Sequence, residues 1–379
     1  MIAQKEKING RQLIKAGTDP IPRDALFFDI ETTGLGWRSS HLYLIGVLFR
    51  EGTDWILQQW FLDRPFAEKE MLELFSDFLD RHRTKILIHY NGDTFDLPFL
   101  RNKYVYYDLP VPQILQAQET PDTGTACTFP DFLPGSSLDL LKIFRPLRKR
   151  LPVSSLRQQE LERFLQTGRK DAASGKELIS VYQDYLQTGD TTLLDALFLH
   201  NREDVLGLSA LWPVFSYIRF WNGEYCVLER TMTDQKLMCT LSTDISFPVS
   251  FTLRDNAGRQ VSFLENRILL TFPVVSEERK LFFPDFRNYY YLPAEDQAIH
   301  KSVGMFVDPA CRRQASRETC YQRIQADFLP VPASAVPDGI PCFLESCKDK
   351  TAWLRTDDIL SMNQEECRLL LHRCLTAVF

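Results

Sequence analysis

The sequence predicts an α/β fold, a mixed sheet flanked by helices, followed by a second, β-rich α+β domain. Three observations carry this. Short apolar runs of strand length alternate with segments of helical spacing through the first part of the chain. After Asn222 the texture changes, and Val, Thr, Phe and Tyr alternate with polar residues between turn signals. The length of 379 residues, 44% of them hydrophobic, exceeds what one domain usually holds. The expected division is 1–220 and 221–379.

Residues 1–24 are polar and read as an arm on the outside. Leu26-Phe27-Phe28 opens a buried strand, and His41–Phe49 (HLYLIGVLF) and Asp54–Phe61 (DWILQQWF) follow as two more. Together they suggest an antiparallel meander with the first strand in the middle of the sheet. Met71, Leu72, Phe75, Phe78 and Leu79 share one face of a helix over Glu68–Arg83. Lys85–Tyr90 is a fourth strand, and a helix starts near Asp96. Residues 109–136, rich in Pro, Gly and Thr, read as a long loop. Asp139–Phe144 resumes order. Helices are expected over 154–165, 175–188 and 192–218. In the second domain, turn residues such as Asp255-Asn256-Ala257-Gly258 separate alternating runs. Residues 310–325 and 364–378 read as helices, with a Pro-rich link over Leu329–Pro341.

Charge and cysteine usage narrow the classes of function. A net charge of −6 excludes a protein that coats nucleic acid by bulk electrostatics, so any such contact is local. The nine cysteines are scattered, odd in number and free of any C-x-x-C, which argues against a zinc ribbon or a disulfide framework. They fit a reducing compartment. Met1–Gly10 has no apolar signal-peptide core, and no run approaches the roughly 20 residues of a membrane span. The expected location is cytoplasmic.

Three constellations carry chemistry. In Phe28-Asp29-Ile30-Glu31, residues two apart on a strand share a face, so Asp29 and Glu31 project together. Paired carboxylates are costly to ionise unless a cation neutralises them, and hard oxygen ligands suit Mg²⁺ or Mn²⁺. The bland alternative is a strand end with two solvated acids. In Asn91-Gly92-Asp93-Thr94-Phe95-Asp96, a strand leads through a Gly turn into a helix. There Asp96 is either a further metal carboxylate or a first-turn acid favoured by the helix dipole. Asp93 reads as a turn residue, and Phe95 and Leu97 read as core. In His200-Asn201-Arg202-Glu203-Asp204, His200 and Asp204 are four apart and share a helix face, with Glu203 on another. A neutral imidazole at His200 can orient or deprotonate water; the alternative is a helix-surface or core histidine.

Taken together, FDIETTGL, N-x-x-x-F-D-x-P-x-L and H-x-x-x-D resemble the three motifs of the DEDD 3′–5′ exonucleases. The second is closest to the form found in proofreading domains of family-B polymerases. The order of elements is ribonuclease-H-like, and the chain is similar to bacterial YprB-like proteins. The resemblance spans residues 25–215. It implies two Mg²⁺ or Mn²⁺ ions held by Asp29, Glu31, Asp96 and Asp204, single-stranded DNA or RNA as substrate, and nucleoside 5′-monophosphates as products. Thr32, Thr33, Gly34, Leu35 and Asn91 would meet the nucleotide. One departure stands out: the family carries Tyr-x-x-x-Asp or His-x-x-x-x-Asp, whereas here His has the Tyr spacing and Leu199 stands one residue earlier.

Arg145, Arg148, Lys149 and Arg150, extended by Arg157 and Arg163, form a basic cluster that either grips phosphates or is a solvated face. Asp139 reads as a turn or cap acid, or as a support to the carboxylate site. Tyr289-Tyr290-Tyr291 offers rings for base stacking or for the core. His300, Lys301, Cys311 and Cys320 are too dispersed for a metal site. A structure-specific endonuclease and a non-catalytic nucleic-acid-binding module are the competing readings.

Overall fold

The structure, a computed structural model, describes residues 1–13, 20–82, 86–116, 136–169 and 175–379. Most of the expected loop 109–136, with Cys127, lies outside these residues, as do Arg83 and Lys85 at the ends of expected elements. The chain divides into two compact units, one of Met1–Arg219 with Ile245–Val249, the other of Phe220–Asp244 with Ser250–Phe379.

In the first unit, strands β1 (Ile2–Ile8), β2 (Ala25–Thr32), β3 (Leu42–Glu51), β4 (Asp54–Phe61), β5 (Ile86–His89) and β6 (Ser136–Asp139) form one sheet in the order β1-β4-β3-β2-β5-β6. The β2–β3–β4 meander is antiparallel, and β2, β5 and β6 run parallel. Helices α1 (Gly10–Leu13), α2 (Glu68–His82), α3 (Asp96–Tyr106), α4 (Leu140–Phe144), α5 (Gln158–Leu165), α6 (Gly175–Thr188) and α7 (Thr191–Ala210) complete it, and α8 (Phe215–Trp221) begins in it and ends in the second unit. Pro213 removes a helix donor, so the expected continuous helix 192–218 breaks into α7, a 3₁₀ turn at Trp212–Val214 and α8.

The N-terminus corrects the expected arm. Ile2–Ile8 is an edge strand paired antiparallel with β4, from Ile2 opposite Phe61 to Ile8 opposite Trp55. Its run of Lys5, Glu6 and Lys7 looked like solvated chain, but charges on an outer strand are also how sheets blunt an edge. Lys5 and Lys7 reach Glu51 and Asp54 at 2.9 and 2.6 Å.

Strand alternation positions the acids. Phe28 and Ile30 turn to the side of α2, where Phe28 stacks on Phe75 at 6.5 Å. Phe27, Asp29 and Glu31 turn to the side of α7 and its continuation, where Phe27 meets Trp212 edge-on at 6.1 Å. Helix α7 lies across β2 and β3, and β3 is buried along Leu42–Phe49. Gly46 makes the approach possible: a Cβ there would lie 2.0 Å from Asn201 Oδ1 and 3.0 Å from Val205 Cγ2. On the other side, buried Glu68 of α2 pairs with Lys103 of α3 at 2.9 Å and accepts from Tyr107 Oη at 2.8 Å and the Leu42 amide at 2.7 Å. That network fixes the helix that Asp96 begins.

The second unit has three antiparallel sheets. Strands β7 (Cys226–Thr233), β8 (Lys236–Ser242), β9 (Phe251–Arg254), β10 (Gln260–Leu264) and β11 (Arg267–Pro273) form the first, ordered β7-β8-β11-β10-β9. The others combine β12 (Val275–Phe282), β13 (Tyr289–Leu292), β14 (Gln297–His300), β15 (Arg313–Gln314), β16 (Tyr321–Pro332) and β17 (Thr351–Arg355) as β12-β16-β17 and β14-β13-β15. Helices α9 (Lys301–Gly304), α10 (Thr356–Ser361) and α11 (Gln364–Val378) accompany them. Two expectations are corrected here. Residues 310–325 are not a helix but a 3₁₀ turn, the short β15 and the start of β16. The Pro-rich link begins inside β16, whose residues beyond Phe328 pair only with β17. With one side of the strand unpaired, Pro330 and Pro332 cost no ladder bond there. Among the described residues no helix is long and apolar enough to cross a membrane.

Gly46→Ala should drive α7 off β3. Overpacking of this kind costs about 1–3 kcal/mol, and the urea midpoint of the variant should fall accordingly. An unchanged midpoint would mean that the helix does not depend on this approach.

Candidate active site

Strand β2 pairs with β5 only through Ala25–Phe27, which leaves the edge beside Asp29–Glu31 open at the C-terminal end of the parallel strands. The first residue of α3 fills that edge. Buried Asp96 accepts backbone hydrogen bonds from Ile30 and from its own amide, both of which favour the ionised form. Helix α7 brings His200 and Asp204 from the facing side. The ligand atoms of Glu31, His200 and Asp204 lie within 4.8 Å of one another. His200 Nε2 is 3.2 Å from Asp204 Oδ2 and 3.6 Å from Glu31 Oε1. Glu31 of β2 is thus brought together with His200 and Asp204 of α7, two elements far apart in sequence.

Their charges act on each other. Burial pushes the Asp29 carboxyl well above the usual carboxylate range, and the charges of Glu31, Asp204 and Asp96 push it further. Burial likewise raises Asp96 to about 7, against its two backbone hydrogen bonds and with help from the charges of Asp139 and Asp204. Buried Tyr43 behind the pair has its hydroxyl pushed up by desolvation and then by Glu31 and Asp29. The carboxylate oxygens are hard ligands in mutual repulsion, which fits a hard divalent cation, and the His200 imidazole beside them is a borderline ligand.

Several site residues were not read from the sequence. Asn201 Nδ2 donates to Asp29 Oδ2 at 3.1 Å, while its Oδ1 accepts from Gln59 Nε2 at 2.8 Å; Gln59 in turn holds the Phe198 carbonyl at 3.0 Å. The only sequence signal was a fully buried Gln inside the apolar run DWILQQWF. Arg169 Nη1 reaches Asp204 Oδ1 at 2.5 Å and Glu162 Oε2 at 3.4 Å. Asp139 caps α4 by accepting from the Leu141 amide at 3.0 Å, and also takes the Asn91 and Asp93 amides at 2.9 and 3.4 Å. It therefore ties down the turn that leads to Asp96. Asp93 is more than a turn residue: it is buried and paired with Lys142 at 2.8 Å, beside buried His89, whose pKa desolvation lowers.

The remaining candidates are placed as follows. Thr32 Oγ1 donates to the Gly34 carbonyl and Thr33 Oγ1 accepts from the His41 amide, closing the turn that leaves Leu35 85% exposed. Asn91 is exposed with φ of 62°, a left-handed conformation Asn tolerates. Leu97 is buried and Phe95 packs against the core. Arg145, Arg148 and Lys149 are exposed on the turn after α4, and Arg150 is partly buried with its guanidinium pKa lowered by desolvation. Arg157 is exposed, and exposed Arg163 pairs with Glu160. In the second unit, Tyr289 stacks on Phe283, Tyr291 is buried, and Tyr290 lies under Arg312 and Lys301.

The sheet order, with three antiparallel strands running into parallel ones and helices covering the site face, is the ribonuclease-H-like class of fold. A family profile described as the RNase_H superfamily matches residues 26–215, half of the chain, and the chain belongs to that superfamily. Membership supports nuclease chemistry on nucleic acid, and nucleases of this fold use divalent metals. Among solved structures, the family B DNA polymerase from the hyperthermophilic archaeon Pyrobaculum calidifontis is similar, with 13% identity and a TM-score of 0.38, over 94% of this chain and 46% of the polymerase. The chain spans under half the length of that polymerase. A comparison with curated proteins finds none that matches.

The raised Asp96 pKa predicts a pH effect. Its folded value of about 7 lies above the ordinary 3.8, so its contribution to stability is present below pH ~4 and lost as pH rises through about 7. Asp96→Asn cannot ionise. In EDTA at pH 8 the variant should melt above the parent, by ~2–4 °C for each kcal/mol of relieved strain, and the gap should narrow as pH falls below about 7 and close near pH ~4. Parallel melting curves at both pH values would refute the electrostatic account.

Proposed function

We propose that this protein is a divalent-metal-dependent 3′–5′ exonuclease of the DEDD type, hydrolysing single-stranded DNA or RNA. The observation that supports the reading is that the ligand atoms of Glu31, His200 and Asp204 lie within 4.8 Å of one another, with Asp29 buried where the charges of Glu31, Asp204 and Asp96 act on it. The four would hold two Mg²⁺ or Mn²⁺ ions. When bound, such ions lower the pKa of a water and offset charge on the leaving oxygen. The chain's own residues then orient and hold. Asn201 fixes the Asp29 carboxylate, and the Asp139 anchor fixes the turn before Asp96. His200 presents Nε2 to the same pocket, where a neutral imidazole can orient the attacking water or take its proton.

In this reading the Thr32–Leu35 turn and Asn91 meet the terminal nucleotide, with Leu35 offering an apolar edge to a base. Arg145, Arg148, Lys149 and Arg150 supply phosphate contacts on a chain whose net charge would otherwise oppose a polyanion. The scattered thiols fit a reducing, cytoplasmic setting.

An end-labelled oligonucleotide incubated with Mn²⁺ or Mg²⁺ tests this. Stepwise loss from the 3′ end is expected. Discrete internal cuts would instead indicate a structure-specific endonuclease, and binding without cleavage a non-catalytic module. Asp29→Ala should lower the cleavage rate by roughly 10³-fold or more; a variant that cuts as fast as the parent would remove Asp29 from the metal site.

A further inference from the structure

Both oxygens of Asp204 already face nitrogen groups of the protein. His200 Nε2 lies 3.2 Å from Oδ2, and Arg169 Nη1 lies 2.5 Å from Oδ1. The second contact is built by the chain around it. At the end of α5, Gln166 adopts φ of 59° and Gly168 φ of 73°, and the Thr167 amide closes on the Glu162 carbonyl at 3.1 Å. Two left-handed residues in three reverse the chain, which Gly168 allows without a Cβ penalty. Arg169 is thereby sent back along α5 to Glu162, and from there to α7. Gly207 allows α5 and α7 to lie close, since a Cβ there would sit 2.0 Å from Glu162 Oε1. Gln158 Nε2 fastens the same corner, donating to Glu162 Oε1 and to the Asp204 carbonyl, each at 2.8 Å. The Arg169 side chain is 11% exposed, against 22% for Asp204, so this contact is far less screened than a surface pair.

We propose that Arg169 is an internal competitor for the divalent cation, a positioning residue that holds Asp204 Oδ1 in the metal-free protein and yields it when a cation binds. The proposal rests on the reading of the four carboxylates as a metal site. Asp204 is paired with the Arg169 guanidinium, while the charges acting most strongly on Asp29 are negative and the neutral Asn201 donates to it. A cation that takes Asp204 through Oδ1 displaces Arg169 there, whereas Oδ2 faces His200 Nε2. The released guanidinium keeps Glu162 as its second anchor, so it need not leave the pocket. Its positive charge then stays beside a site whose substrate carries phosphate, and apparent metal affinity reflects the exchange as well as the carboxylates themselves.

The sign of the effect separates competition from mere scaffolding. A purely structural arginine, once removed, would loosen the pocket and weaken metal binding or leave it unchanged. A competitor, once removed, strengthens it. Mn²⁺ binding to the full chain, without nucleic acid, can be read from the loss of the free-ion signal in electron paramagnetic resonance. Arg169→Gln should bind Mn²⁺ tighter than the parent by about five- to tenfold. Arg169→Lys, which keeps the charge, should stay near the parent value and serves as the second variant should the glutamine form fold poorly. If the parent binds Mn²⁺ and Asp29→Ala does not, the site is sound; equal or weaker binding by Arg169→Gln, or tightening of Arg169→Lys to the same degree, then overturns the role of Arg169 alone. If the parent shows no Mn²⁺ binding, the metal-site reading itself falls.

Discussion

Repulsion among four carboxylates is the constraint around which the first unit is organised. Gathering Asp29, Glu31, Asp96 and Asp204 in a buried pocket opposes folding: burial first, and the neighbouring acids after it, raise the pKa values of Asp29 and Asp96. Such an arrangement persists only when the rest of the structure over-determines it. The sheet holds two of the acids on one strand. The edge of β2 beyond Phe27 receives the third, and α7 is pressed onto β3 to deliver the fourth.

Each delivery has its own buried device. Gly46 removes the side chain that would hold α7 away, and the Gln59–Asn201 pair converts that contact into a hydrogen bond on Asp29. Glu68 engages Lys103 and Tyr107 and so locks α3 against α2 and β3. Asp139 gathers three amides at the start of α4 and so holds the Asn91–Asp93 turn in place. Buried pairs of this kind add little net stability compared with apolar packing, but removing one partner strands a charge. Their evident effect here is on placement. They set where the acids point, at positions where a shift of one residue along a strand would turn Asp29 and Glu31 to the opposite face.

This division explains what could be read in the sequence. Strand and helix periodicity put Asp29 beside Glu31 and His200 beside Asp204, whereas reading them with Asp96 as one metal site came from the resemblance of the three motifs. The α/β order was legible because strand-length apolar runs alternate with amphipathic helices. Supporting residues were not, since a lone Gln, Asn or Gly has no periodic signature; Gly46 matters only because Asn201, 155 positions later, lies against it. Arg169 was hidden for the same reason, its importance arising from a reversal of the chain after α5. The errors follow a similar logic. Charged residues disguised β1, an edge strand that tolerates them, and prolines disguised β16 where it pairs on one side only.

An acidic pocket in an acidic chain has one more consequence. On the proposed function, a nucleic-acid strand would bring phosphate charge toward carboxylates that already repel each other, so strand and cation would not bind independently. Each cation that enters lowers the negative potential the strand must meet, and each phosphate that enters raises the attraction for the cation. Through linkage the two affinities rise together. The contact between Arg169 and Asp204 sits at the junction of these effects, because the same guanidinium that opposes the cation at Oδ1 favours the phosphate. On a chain with net charge −6, attraction for a polyanion must come from such local groups, the exposed Arg145, Arg148 and Lys149 among them, rather than from the field of the whole molecule.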